Sequence, residues 1–207
     1  MDRRATGRGR ASKPPLFAPG TDWSYSNTNY VQLGMVIHKI TGRPYAAELR
    51  DRIIRPLGLH ETESPGTRLD IAGPHAHGYL EVGDAPVDVT RLNPSIAGSA
   101  GDLISSTADL NTFFRALLTG RLLPPAQLAQ MKTAVPGHDY GLGLEQEQLP
   151  CGVTVYGHGG DIFGYNTLSL HTADARMQLS AAVTPYAGNL GPSADALLSR
   201  VFCGQPA

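Results

Sequence analysis

The sequence has no apolar run that approaches the roughly eighteen residues a membrane-spanning helix needs. It has no internal repeat and no C-x-x-C. With two cysteines, Cys151 and Cys203, thiols alone cannot build a zinc site. The pair is either two unrelated buried thiols or one disulfide, and the residues by themselves leave that open. Charge is also sparse, at 17% of 207 residues with a net of -1. It is unevenly placed: Arg3, Arg4, Arg8, Arg10 and Lys13 face only Asp2 within residues 1–13, so the remainder is negative. That balance gives no electrostatic reason to bind nucleic acid. No apolar stretch follows the arginines, so they do not open a secretory signal peptide. The reading is a disordered basic head over 1–16 and one partial globular domain over 17–207, with an ordinary hydrophobic content of 41%.

Periodicity supplies the elements. A helix is expected from Thr28 to Thr41, stopped by Gly42. Tyr30, Val31, Leu33, Met35, Val36, Ile37 and Ile40 lie nearly all round it, which predicts burial. A second helix begins near Pro44, with Tyr45, Leu49, Ile53 and Leu57 on one face. Residues 60–101 are rich in Gly, Pro, Asp and Thr and read as connecting structure. Ser106-Thr-Ala-Asp109 has the form of a capping box, with Asp in place of Glu or Gln. Leu110, Phe113, Phe114, Leu117 and Leu118 follow at helical spacing, and Gly120 ends the helix. A short helix is expected over Pro125–Lys132. Short strands are expected over 140–147, 152–157, 167–171 and 177–184, the last two joined at Ala173–Arg176. Ala194, Leu197, Leu198, Val201 and Phe202 mark a closing helix. Helices first and an antiparallel sheet with a covering helix last make an α+β class.

Two tripeptides carry candidate chemistry. Tyr25-Ser26-Asn27 stands just before the first helix, and His158-Gly159-Gly160 just after an apolar strand. In this order and setting they resemble the second and third motifs of the penicillin-recognising serine hydrolases. That group includes D-alanyl-D-alanine carboxypeptidases and relatives of class C β-lactamases. The likeness runs through Phe17-Ala-Pro-Gly20, Ser99-Ala-Gly101, Ile104-Ser-Ser-Thr107, Asp109-Leu-Asn-Thr-Phe-Phe114, Tyr140-Gly-Leu-Gly-Leu144, Val155-Tyr-Gly-His158 and Phe202-Cys-Gly204. It covers nearly all of the chain from residue 17 on. It implies a β-lactamase/transpeptidase-like fold, truncated at its N-terminus.

The resemblance also implies roles. The Tyr25 phenol shuttles protons between nucleophile and leaving group, provided nearby cations lower its pKa from about 10. The Asn27 amide holds a substrate carbonyl, and His158 supports the proton transfer. Gly159 and Gly160 let substrate backbone lie along a strand edge. The Asp161 N–H stands where the family places an oxyanion donor. Membership of an exported family raises the disulfide reading, with Cys151–Cys203 tying the start of a strand to the last helix. It also implies an extracellular parent. No cofactor is implied. His75-Ala-His77 invites a metal, but no third ligand is near in sequence, so none is assigned.

The family nucleophile is the serine of S-x-x-K. The lysines here are Lys13, Lys39 and Lys132, and Arg10, Val36 and Ala129 stand three residues before them. The motif is absent, and in the family it lies well upstream of Y-x-N. The chain as it stands is therefore expected to be inactive. Ser99 does not replace the nucleophile, because Gly98-Ser-Ala-Gly101 is not a G-x-S-x-G elbow.

The third motif departs from the family's usual H-T-G-T, since Gly159 and Asp161 carry no hydroxyl. Where an arginine is expected after Tyr140-Gly-Leu-Gly-Leu144, Glu145 stands instead. These changes point away from a substrate with a free C-terminal carboxylate. The resemblance implies a D-amino-acid peptide, β-lactam or ester as substrate, with an esterase or D-aminopeptidase-like parent among the alternatives. A binding protein that kept the cleft wall without its chemistry is the rival from another class. The oligomeric state is not legible.

Overall fold

The computed structural model describes residues 14–185 and 191–204. Most of the basic head, residues 1–13, lies outside them. The chain divides into two compact units.

The first unit comprises residues up to Gly58 together with Thr62–Leu69 and Leu92–Ile104. Helix α1 spans Asn27–Thr41. The Ser26 hydroxyl accepts from the Thr28 N–H at 3.2 Å, and Gly42 closes the helix at φ 70°. Helix α2, Tyr45–Leu49, continues through a π-type turn at Arg50–Ile54 to Arg55–Leu57. Its Glu48 is buried between Arg43 and Arg52. Short 3₁₀ turns cover Pro94–Ile96 and Gly98–Ala100.

The expected burial of α1 does not hold. Of its residues only Gly34 is buried, while Leu33 is 54% and Ile40 79% exposed. Periodicity reports which faces are apolar; burial needs neighbours, and in this unit α1 meets mainly the turn at Gly98–Ala100 and α2. Its close approach is at Gly34, where an added Cβ would lie 2.2 Å from the Ser99 hydroxyl.

The second unit holds Leu59–Glu61, Asp70–Arg91 and everything from Ser105. Strands β1, Tyr79–Val82, and β2, Ala85–Asp88, form a two-residue hairpin inside the segment expected to be connecting structure. Gly83 at φ 65° turns the chain, and Gly83-Asp84 between two short alternating runs was the available signal. Helix α3, Thr107–Leu118, begins with the Ser106 hydroxyl accepting from the Asp109 N–H at 3.2 Å. The Asp109 carboxylate accepts from the Glu61 N–H, so this side chain ties in a distant loop. Helix α4 is Pro125–Lys132.

Strands β3 (Glu145–Gln148), β4 (Thr154–Ile162), β5 (Tyr165–Thr172) and β6 (Gln178–Val183) form an antiparallel meander in the order β3-β4-β5-β6. Helix α5, Gly191–Cys203, follows. Alternation along the sheet splits two cores. Val155 and Leu170 pack with Leu198 and Phe202 of α5, and full burial of each such side chain contributes roughly 1.5–3 kcal/mol. Phe114, Leu117 and Leu118 of α3 pack with Leu144, Ala175 and Tyr156 in the other core.

Two strand boundaries differ from expectation by five residues, the rest by one or two. β3 starts at Glu145, because Gly143 at φ 75° turns the chain before it. β4 runs on to Ile162, so His158-Gly159-Gly160 lies within the strand. Pairing with β5 in the register His158↔Ser169 and Gly160↔Thr167 overrides the low strand propensity of the glycines. Cys151 and Cys203 form a disulfide with Cα atoms 5.8 Å apart. Among the described residues no helix is long and apolar enough to cross a membrane.

Candidate active site

The first unit holds Tyr25 and Asn27. Ser26 fixes them on either side of the α1 N-cap, with Asn27 the first helical residue. The Tyr25 ring is 44% exposed, and its centroid lies 5.6 Å from that of Tyr30. Ser99 donates its hydroxyl to the Tyr30 carbonyl at 2.9 Å, which makes it a packing serine.

The second unit gathers His158, Gly159 and Glu145 around one strand edge. β3 ends its pairing with β4 at Glu145↔Gly157, so the next outward N–H of β4, that of Gly159, meets no backbone carbonyl of β3. The Glu145 carboxylate fills the gap. Oε2 accepts from the Gly159 N–H at 3.1 Å, and Oε1 lies 3.7 Å from His158 Nδ1. The same Nδ1 is 2.5 Å from the Gly159 carbonyl oxygen. A carbonyl only accepts, so Nδ1 carries the proton, and in the neutral ring Nε2 holds the lone pair. The Tyr140 hydroxyl stands 2.8 Å from that Nε2.

Tyr140 is the residue that sequence reasoning missed. The sequence places it at the start of a strand and in the family-like stretch Tyr140–Leu144, with no role beside His158. The Gly141 N–H donates to the Leu144 carbonyl, and a bridge joins Tyr140 to Glu145, so residues 140–145 fold back on themselves. Two glycines spaced by one residue were the available signal of a turn. Glycine is required at 141, where a Cβ would lie 2.2 Å from the Met131 carbonyl oxygen.

The rest of the edge is anionic. Glu147 is held above the ordinary carboxylate range by burial first, then by Asp195, Asp139 and Glu145. Asp161 is exposed on the face opposite His158. Gly160 is confined, since a Cβ there would sit 2.5 Å from the Thr167 hydroxyl, whereas one at Gly159 would meet nothing nearer than 3.7 Å.

His75 and His77 sit before β1. Their rings lie 5.4 Å apart, with Nδ1 of His77 on Asp88 and Nδ1 of His75 on the Gly73 carbonyl. No group of three metal-binding side chains converges among the described residues.

A model of the β-lactamase family matches residues 4–186. The chain belongs to the β-lactamase family. Its β-lactamase/transpeptidase-like fold is also that of a D-stereospecific amidohydrolase from a Streptomyces species. That structure superposes with a TM-score of 0.87 at 45% identity, over 94% of this chain and 59% of the other. Penicillin-binding protein 4* of Bacillus subtilis is 30% identical over 179 residues, 79% of this chain and 40% of its own length. A D-aminopeptidase of Brucella anthropi is 32% identical over 185 residues, 83% of this chain and 33% of its own. This β-lactamase-family chain thus spans 33–40% of these two curated relatives. It is a serine-hydrolase-family chain in which His158, Gly159 and Gly160 lie on the strand β4.

Proposed function

We propose that this chain provides the Tyr25-Ser26-Asn27 and His158-Gly159-Gly160 parts of a serine acyl hydrolase. The preferred substrates are D-amino-acid amides, esters or short peptides without a free C-terminal carboxylate. The carrying observation is the Glu145 carboxylate on the Gly159 N–H and beside His158, where it puts negative charge at the strand edge. Two unit charges about 4 Å apart repel by about 4 kcal/mol at an effective dielectric near 20, before solvent exposure and screening reduce that figure. The D-aminopeptidase and D-stereospecific amidohydrolase names of relatives support the same direction.

In the reaction, a serine supplied with its lysine attacks the carbonyl and forms an acyl-serine as the amine or alcohol leaves, and water then hydrolyses that ester to the acid and the free serine. Tyr25 moves the proton to the leaving amine, Asn27 orients the substrate amide, and the Asp161 N–H donates to the developing oxyanion. An exported setting suits the disulfide, which an oxidising compartment preserves.

The absence of any S-x-x-K in 207 residues favours a second reading, a ligand-binding chain without turnover. One experiment separates the two. The chain alone, incubated with labelled penicillin, gains no covalent mass. Joined to a segment carrying S-x-x-K, it hydrolyses D-phenylalaninamide at least tenfold faster, by kcat/KM, than the free acid D-alanyl-D-alanine. Saturable binding with no turnover in the joined protein supports the second reading, and preference for the free acid overturns the substrate class.

A further inference from the structure

A strand that outruns its neighbour leaves outward N–H groups for whatever acceptor arrives. β4 outruns β3 by five residues, from His158 to Ile162. The first outward N–H past the end of the pairing is that of Gly159. Strand alternation puts the Asp161 N–H on the same edge, two residues on. Beside Gly159 stands the His158 ring, whose Nδ1–H is given to the Gly159 carbonyl at 2.5 Å. A backbone donor left over on a strand edge next to an imidazole is a place for a carboxylate oxygen.

In this chain that place is taken by the protein's own carboxylate. Glu145 Oε2 accepts from Gly159 N–H at 3.1 Å, and Oε1 faces His158 Nδ1 at 3.7 Å. Glu145 is the first residue of β3, and its backbone is fixed by pairing with Gly157 and by the bridge to Tyr140. Its carboxylate is thereby delivered to the edge at high effective concentration. Space does not explain the arrangement. Gly159 is open enough that an added Cβ would make only ordinary contacts, with the Glu145 oxygen itself 4.0 Å away. The Glu145 side chain remains 38% exposed and that of His158 29%, so solvent reaches the position from outside.

We propose that Glu145 is a specificity-determining residue that acts as a built-in carboxylate. It occupies the Gly159 N–H beside the His158 ring, and so denies that donor to the carboxylate of a free-acid ligand. An amide or ester carries no anion and does not compete for it. The Gly159 N–H is the donor of a latent carboxylate site that removal of Glu145 opens. The specificity part rests on the substrate class proposed above; the existence of the latent site rests on the geometry alone.

The test reads the site directly, without turnover. The backbone amide of Gly159 and the imidazole nitrogens of His158 are followed by ¹⁵N NMR in the chain as it exists, with acetate as probe and acetamide as neutral control. In Glu145→Ala, acetate shifts both resonances saturably, with half-saturation on the order of millimolar, and acetamide does not. In the unsubstituted chain the same acetate moves them at least tenfold less. Glu145→Gln keeps an oxygen for the Gly159 N–H, and so stays as closed to acetate as the original. An acetate response in the unsubstituted chain equal to that of Glu145→Ala overturns the proposal. So does the absence of a response in a folded Glu145→Ala, with folding checked by unchanged amide shifts in β5 and β6. Failure of amide hydrolysis leaves these resonances unaffected, so the two readings fail separately.

Discussion

The Tyr140 hydroxyl lies 2.8 Å from Nε2 of His158, with the two rings edge to face at 82°. Tyr140 is buried, at 8% exposure, so this contact forms in a desolvated setting. With Nδ1–H directed at the Gly159 carbonyl, the neutral ring accepts the Tyr140 proton at Nε2. Tyr140 therefore acts as a positioning residue: it selects the tautomer that points the other proton at the Gly159 carbonyl.

Replacing Tyr140 by Phe removes that donor and little volume. The expected cost in unfolding free energy is about 1 kcal/mol, the net worth of one hydrogen bond. A purely structural role predicts only that loss. A positioning role also predicts that the ¹⁵N pattern of His158 drifts from the Nδ1–H form toward the Nε2–H form. An unchanged tautomer pattern in a folded Tyr140→Phe chain counts against it.

On the α3 side of the sheet a second histidine is fully buried. His171 Nε2 meets the Ser169 hydroxyl at 2.9 Å, Nδ1 meets the Gln178 amide at 3.2 Å, and the ring stacks on Phe114. Burial, with a smaller contribution from the Arg115 charge, lowers its pKa to about 4. The unfolded chain protonates this ring near 6.5 and the folded chain resists until about 4. The group's contribution to stability is therefore complete above about pH 6.5 and is lost as pH falls toward 4. Between pH 7 and 4.5 the loss is on the order of 2 kcal/mol for this group. Urea unfolding at both pH values should give it, and His171→Leu should flatten the slope while lowering stability at pH 7. Equal pH slopes in the two proteins would show that His171 is not the source.

The disulfide closes 52 residues, from the turn before β4 to the end of α5. Chain entropy assigns such a loop about 4 kcal/mol. Reduction should lower the urea midpoint markedly, with the loss concentrated where α5 packs on Val155 and Leu170. Hydrogen exchange checks this: amides of β4 and β5 facing α5 should lose protection before those of α3. Uniform loss across both cores would count against a local role.

Much of this was legible in the sequence because local signals agreed. Ser106 with the 110–118 spacing, Gly42 after α1 and Ala173–Arg176 between β5 and β6 each placed an element boundary. Other features depended on contacts that no local pattern encodes. The extension of β4 through His158-Gly159-Gly160 comes from β5 pairing, and glycine-rich sequence hides it. The exposure of α1 depends on what covers it, which periodicity does not report. Glu145 was readable as an acidic departure from the family, but its bond to the Gly159 N–H follows from the β3–β4 pairing ending at Glu145↔Gly157. Tyr140 near His158 likewise required the 140–145 turn to be seen folded.

That close β4–β5 pairing yields the last prediction. At Gly157 an added Cβ would lie 1.7 Å from the Ser169 carbonyl oxygen and 2.7 Å from its carbon, both backbone atoms of the paired strand. Neither can step aside without breaking the register that holds His158 opposite Ser169. At Gly159, two residues on along the same strand, the nearest atom to an added Cβ is the Thr167 carbonyl oxygen at 3.7 Å. Gly157→Ala should therefore destabilise the chain by about 3 kcal/mol or more, the upper range for overpacking. Gly159→Ala should cost less than about 1 kcal/mol, the usual penalty of a site with room. Urea unfolding of the two variants side by side measures both. The contrast isolates strand packing from any general intolerance of side chains in the His158-Gly159-Gly160 segment, because both positions lie on the same face of β4. Equal losses at 157 and 159 would mean that the segment needs glycine for its backbone freedom rather than for the closeness of β5.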